Sequence, residues 1–350
     1  MTIELSTPAL VVDLDVFEAN VAAMARMLGG TGKTVRPHVK THRTPELARR
    51  QLGGPVTGVT CATVGEAEAM VAAGITDVLI ANEVVDPSKL ARIAELARQA
   101  TVAVAADDPA AVTLLSAAAV TARSTVHVLV DVDILLHRCG VASVDEAMSL
   151  ARVIAGADGV RLAGVMGYEG RVRLGTEDRD GRIARAYGIL GEVKAALEAE
   201  GFEVGIVSGG GTSTLREALA DPNITEVQAG VYALMEPELL VMDLPFKCAV
   251  TVRGTVISHH PGRFVTNVGR RVAAMDYGPP LPVGFDGAPV AMSDEHATVR
   301  VEGPPPAIGS TVDFIPGQIR TTFNLHDRVW LSRGGKIVDC WPVAARGASQ

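Results

Sequence analysis

From about residue 30 to residue 235 the chain alternates eight times between a β-rich apolar run and an alanine-rich helical run. The spacing predicts strands over 34–39, 56–61, 77–81, 101–105, 126–132, 161–166, 203–207 and 224–227. The helices between them have recognisable ends. Asp86-Pro87 and Asp108-Pro109 place an N-cap before a proline in the first helical position, Ser143 precedes Asp145-Glu146, and Gly74 and Gly201 close helices. Runs such as Val78-Leu79-Ile80-Ala81 are apolar throughout, as expected of strands covered on both faces. Eight such units point to a (β/α)8 barrel. A doubly wound sheet is the alternative; the regularity of the units favours the barrel.

After about residue 245 helical periodicity stops. Short β-type runs follow at 248–257, 264–267, 297–301, 311–314, 329–332 and 337–341, with Pro, Gly and Asp between them. Arg333-Gly334-Gly335-Lys336 is a hairpin turn signal. This is an all-β domain. The run 9–14 precedes the first barrel unit and is expected to join it as a strand. Asp15 is then expected to cap an amphipathic helix carrying Val16, Ala19, Asn20, Ala23 and Met27. The expected organisation is a barrel over 16–244 and a β-strand domain formed by 1–15 and 245–350.

Composition narrows the partners. A hydrophobic content of 48% in 350 residues supplies a large core. A net charge of −8 argues against nucleic acid or an anionic membrane surface as the main partner. Cys61, Cys139, Cys248 and Cys340 are scattered without a CxxC pair, so neither a disulfide framework nor a structural zinc site is indicated, and a reducing cytoplasm is the simplest compartment. Residues 1–8 lack the basic and apolar regions of a signal peptide, and no apolar stretch reaches the length of about 18 residues that a membrane span needs.

Barrel enzymes carry their chemistry at the C-terminal strand ends. Strand one is expected to end at Lys40, within Pro37-His38-Val39-Lys40-Thr41-His42. Lysine forms Schiff bases with aldehydes, and burial or nearby cations make its amine reactive. Strand five leads to Arg138-Cys139-Gly140, strand six to Gly167-Tyr168-Glu169-Gly170-Arg171, strand seven to Ser208-Gly209-Gly210-Gly211-Thr212, and strand eight to Gln228-Ala229-Gly230-Val231. Glycines allow backbone N–H groups to converge on an anion, so the two last loops form a phosphate cradle from Ser208, Gly210, Gly211, Thr212, Gly230 and Val231. Each feature alone has a plain reading: a surface lysine, a turn, a surface arginine. Together, a Schiff-base lysine and a phosphate cradle are the minimum pattern for pyridoxal phosphate. Arg138 is the candidate partner of its phenolate oxygen, and Gln228 of its ring nitrogen. His38 flanks the lysine, and Tyr168 packs beside the ring. A neutral amide at the ring nitrogen makes a moderate electron sink, which suits proton transfer and aldol-type chemistry.

These motifs, with Ser293-Asp294-Glu295-His296, Thr322-Phe323-Asn324-Leu325-His326-Asp327-Arg328 and Asp339-Cys340-Trp341-Pro342 in the C-terminal part, resemble the low-specificity D-threonine aldolases and their relatives, D-serine dehydratase and 3-hydroxy-D-aspartate aldolase. The resemblance runs along nearly the whole chain. It implies an alanine-racemase-like barrel plus β-domain, Lys40 as the pyridoxal-phosphate lysine, and a homodimer.

It also exposes departures. The family pattern has a metal-binding histidine followed two residues later by an aspartate or cysteine; here Gln318 and Arg320 occupy those positions. An amide oxygen is a poor ligand for zinc or manganese and a guanidinium is none. The family's Tyr-Glu-Gly-His ends here in Arg171, removing the histidine that the resemblance assigns as base, and Gly269-Arg270-Arg271 replaces Gly-Leu-Lys. The expectation is a metal-independent pyridoxal-phosphate enzyme acting at Cα or Cβ of a D- or 3-hydroxy-amino acid, an aldolase-type lyase. Arg171 and Arg320 suit a substrate with an extra acidic group. Racemisation or epimerisation, dehydration and non-catalytic cofactor binding stay open.

Overall fold

The structure is a computed structural model describing residues 5–170, 172, 174–287 and 289–350. The chain begins with β1 (Ala9–Asp13) and α1 (Leu14–Leu28). Eight strands alternating with seven helices follow. The strands are β2 (Thr34–Val35), β3 (Val59–Cys61), β4 (Asp77–Glu83), β5 (Thr101–Ala106), β6 (Val126–Asp131), β7 (Val160–Met166), β8 (Ile206–Gly209) and β9 (Glu226–Val227). The helices are α2 (Pro45–Gln51), α3 (Val64–Ala72), α4 (Pro87–Leu96), α5 (Pro109–Ala122), α6 (Val144–Gly156), α7 (Arg179–Ala199) and α8 (Leu215–Ala220). Packing divides the chain into two compact units: residues 25–40, 51–230 and 348–350 form a barrel unit, and residues 5–24, 41–50 and 231–347 form a β unit.

In the barrel unit the eight strands form one parallel sheet in the order β2-β9-β8-β7-β6-β5-β4-β3. The caps read from the sequence are in place: Asp86 accepts from the amides of Ser88 and Lys89, Asp108 from Ala110, and Ser143 from Glu146. Leu79, Ala103, Ala105, Leu129 and Met166, from β4 to β7, fill part of the core. The ladder of β7 skips Ala163, and a Cβ on Gly164 would lie 1.9 Å from the Ile206 carbonyl oxygen, so the backbones of β7 and β8 approach too closely there for any side chain.

The first barrel strand is shorter than expected. β2 stops at Val35, and Lys40 lies in a 3-10 turn over Val39–Thr41 rather than at a strand end. Pro37 has no N–H to continue a ladder. Its carbonyl still accepts from the Thr60 amide (2.9 Å), and a single parallel bridge, His38 with Thr60, closes the seam between β2 and β3.

The β unit continues with β10 (Val250–His260), β11 (Arg263–Thr266), β12 (Leu281–Pro282), β13 (Ala291–Met292), β14 (Ala297–Arg300), β15 (Thr311–Ile315), α9 (Ile319–Asn324), β16 (Arg328–Arg333) and β17 (Lys336–Pro342). As expected, β1 joins this sheet: it runs antiparallel to β10 and parallel to β16. The Gly334-Gly335 turn joins β16 to β17. Two details differ from expectation. Asp13, not Asp15, caps α1, its Oδ1 accepting from the amides of Asp15 (2.9 Å) and Val16 (3.1 Å). The helix α9 interrupts a stretch read as wholly β.

Candidate active site

Lys40 is placed against Tyr168. Its Nζ lies 5.8 Å from the centroid of the Tyr168 ring. Tyr168 follows β7 after Gly167, and its ring folds back over Gly170, where a Cβ would come within 2.2 Å of Cε1. A Cβ on Gly211 would lie 3.7 Å from the ring's Cε2. Tyr168 therefore sits between the lysine and the glycine loop after β8. Gly170 leaves the room into which the ring folds, and Gly211 lies in ordinary contact range of its other edge.

The glycine loop is organised from beneath. Gly210 has φ +78°, and a Cβ there would meet the Ala218 Cβ at 2.7 Å, so only glycine fits. The Gly211 amide donates to Thr214 Oγ1 (2.9 Å), and that hydroxyl donates to Glu169 Oε1 (2.5 Å). The Gly210 amide also bonds Glu169. Two of the amides expected to face phosphate are thus engaged inside the loop. Burial pushes the Glu169 carboxyl up from its ordinary value, against the pull of these donors.

Ser208 and Gln228 are brought together with each other. The buried Ser208 hydroxyl donates to Glu226 Oε1 (2.7 Å) and accepts from Gln228 Nε2 (3.0 Å). Glu226 in turn accepts from Arg36 Nε (2.9 Å), whose Nη1 meets Asp77 Oδ1 at 2.6 Å. Sequence reading missed Arg36 and Glu226. The available signal was a charged residue at position 36 inside an apolar run. His38 is buried at the seam, and Gly230 is buried after β9.

Arg138 is exposed in the loop after β6, which Val132 and Val141 close by a bridge. Below it Glu83, Asp107 and Cys139 form the one group of potential metal ligands among the described residues. Burial, with Glu83 bonded beside it, raises the carboxyl of the adjoining Asp131 to about 8, and burial raises the Cys139 thiol to about 11.

Thr212 is buried at the start of a 3-10 turn in the barrel unit. Arg171 lies outside the described residues, and the remaining expected residues belong to the β unit. Val231 starts a 3-10 turn. Gln318, buried, immediately precedes α9 and accepts from the Thr321 hydroxyl. Arg320 does not simply project into solvent. Its Nη2 lies 3.6 Å from Glu236 Oε2 and 3.3 Å from the Tyr277 hydroxyl, with its guanidinium 5.6 Å from that ring's centroid. Glu236, 2% exposed, also accepts from the Ile319 amide (2.9 Å). Burial raises its carboxyl, and Arg320 opposes the rise. Arg270 and Arg271 face Asp294 and Glu295 in loose pairs on the surface of the β unit.

Comparison with known proteins places this arrangement. Residues 12–237 match the alanine racemase N-terminal domain family, and residues 249–331 match the serine dehydratase domain family. The chain belongs to the alanine racemase family. It is 36% identical to the D-threonine aldolase of an Arthrobacter species over 98% of this chain and 93% of that one. It is 33% identical to the 3-hydroxy-D-aspartate aldolase of Paracoccus denitrificans, with the same coverage. The crystal structure of D-threonine aldolase from Filomicrobium marinum superposes with a TM-score of 0.94 at 36% identity, over 99% of this chain and 97% of that one. The alanine racemase fold, a curled parallel eight-stranded sheet followed by a mostly-β region, is common to them. The family's aldolases and dehydratases are pyridoxal-phosphate-dependent. Among the described residues of this alanine racemase family member, no helix is long and apolar enough to cross a membrane.

Proposed function

We propose that the protein is a pyridoxal-phosphate-dependent lyase of the D-threonine aldolase type, acting on a D- or 3-hydroxy-amino acid without a divalent metal. The observation that carries this reading is Lys40 set over Tyr168 beside the glycine loop. Lys40 would hold the cofactor's aldehyde carbon. The loops of Gly210, Gly211, Thr212, Gly230 and Val231 would hold its phosphate, Arg138 its phenolate oxygen and Gln228 its ring nitrogen. When bound, pyridoxal phosphate supplies the sink for electrons left at Cα. Lys40 moves the proton at that carbon, and Tyr168 keeps water from one face of the ring. Gln228, a neutral amide, favours moderate rather than extreme carbanion stabilisation.

Metal independence rests on donor chemistry: Gln318 and Arg320 replace the ligand pair of the family pattern. A guanidinium is always charged and makes paired bonds to carboxylates. Arg320 therefore suits a substrate with a second acidic group. The 3-hydroxy-D-aspartate aldolase of Paracoccus denitrificans is a relative whose named substrate has one. We place the enzyme in a reducing cytoplasm, consistent with four free cysteines, and as a homodimer, as the family resemblance implies. The same replacement supports a second reading, in which the cofactor chemistry persists but the outcome at Cα is dehydration or racemisation.

Purified protein should be yellow and should exchange deuterium at Cα of at least one D-amino acid. A yellow protein with no exchange on any amino acid sinks the enzyme reading in favour of cofactor binding alone. Lys40→Ala should abolish the visible absorbance of lysine-bound cofactor, and persistent colour would remove Lys40 from its role. Activity lost to a chelator and restored by manganese would overturn metal independence.

A further inference from the structure

Glu169 is fully enclosed between the end of β7 and the loop after β8, and no ion pair reaches it among the described residues. Its Oε1 receives the Thr214 hydroxyl, which itself receives the Gly211 amide, and the Gly210 amide reaches the same carboxyl. The Tyr187 hydroxyl of α7 faces it without a well-formed hydrogen bond, so Oε2 and that hydroxyl are both buried without a partner. Arg179, at the start of α7, pairs with Glu217 of α8 and donates to the Ser213 carbonyl. A buried carboxyl answered only by neutral donors is costly to keep and is retained where it fixes geometry.

We infer that Glu169 is the positioning residue of the glycine loop, a buried carboxyl that ties down the amides of Gly210 and Gly211 from within, directly and through Thr214, and so holds the loop as a whole in the conformation that receives the cofactor's phosphate. The inference rests on the pyridoxal-phosphate reading. Glu169 does not touch the phosphate. It acts through Thr214 and the two amides, joining the strand end that carries Tyr168 to the loop after β8. Removing it frees a loop whose glycines have little conformational preference of their own.

The test compares pyridoxal phosphate with pyridoxal, which lacks the phosphate, as ligands of the full-length apoprotein, followed by visible absorbance and protein fluorescence. Glu169→Ala and Thr214→Val should each raise Kd for pyridoxal phosphate about tenfold or more, the equivalent of about 1.4 kcal/mol, while Kd for pyridoxal stays unchanged. Inorganic phosphate should lose its ability to compete. Glu169→Gln, which keeps an acceptor for the Thr214 hydroxyl, should recover most of the affinity. If Glu169→Ala does not fold, Thr214→Val carries the comparison. Unchanged pyridoxal phosphate affinity in the variants, or equal weakening of both ligands, overturns the inference while leaving the cofactor reading intact. Wild-type protein that takes up neither ligand removes the cofactor reading and this inference with it.

Discussion

Two buried glutamates organise two different parts of the molecule, and they are answered in different ways. Glu169, in the barrel unit, meets a hydroxyl and backbone amides. Glu236, in the β unit, meets a backbone amide and the guanidinium of Arg320. Neutral donors fix the glycine loop without bringing a second charge to it. A guanidinium brings a full charge, and its partner carboxylate consumes part of it. Position 320 is also where the chain departs from the aldolase pattern. The difference teaches that the glycine loop is held to Glu169 by neutral groups alone, whereas the segment at 318–320 is tied down by an ion pair.

Removing the cation should break this contrast. Arg320→Met leaves Glu236 buried without its counter-charge and should destabilise the protein by about 3 kcal/mol in urea unfolding. The loss should be greater at pH 8 than at pH 5, because at low pH the carboxyl can take up a proton instead. Adding Glu236→Gln should restore part of the loss, since an amide needs no counter-charge. Equal stability of wild type and Arg320→Met would mean that the pair holds nothing together.

A third buried acid sharpens the comparison, because Asp131 is answered by another acid. Its folded carboxyl sits near pH 8 against an ordinary value of 3.8. The folded state therefore binds more protons than the unfolded state between those values. Its contribution is fully present below about pH 4 and is lost as pH rises through about 8. Thermal unfolding should show Tm falling across that range, and Asp131→Asn should flatten the slope. A slope identical in the two proteins would remove Asp131 as its source. The smallest effect is expected for Arg270→Ala. Its partner Asp294 is exposed and 3.8 Å away, so the change in unfolding free energy should stay within about 0.5 kcal/mol. A larger loss would show that burial is not what separates these pairs.

Most of the barrel was legible because its signals are local. Continuous apolar runs marked the strands, and Asp-Pro or Ser caps marked α4, α5 and α6. The region around β2 was misread because 34–39 is apolar enough for a strand, yet Pro37 ends the ladder. The helix α9 was invisible for a different reason. Ile319, Thr321, Thr322 and Phe323 favour strands, and Gln318 makes no side-chain cap. Its first amide is satisfied by Glu236, more than eighty positions earlier, so a long-range contact decides what local preference opposes. The site followed the same division. Lys40, Tyr168 and the glycine loop were readable as motifs, whereas the Glu226–Ser208–Gln228 chain and the Glu169–Thr214 relay depend on which strand ends the fold makes neighbours.

The seam between β2 and β3 has a consequence for motion. Neighbouring strands β6 and β7 share six register pairs, but the β2–β3 seam has a single register pair, His38 with Thr60, two residues before the lysine. Local opening of the barrel should begin where the fewest backbone bonds must break. In hydrogen exchange the Thr60 amide should lose protection before the amides of β6. Each such opening would loosen the turn that carries Lys40, so ligand that bridges Lys40 and the glycine loop should slow exchange at a seam it never touches.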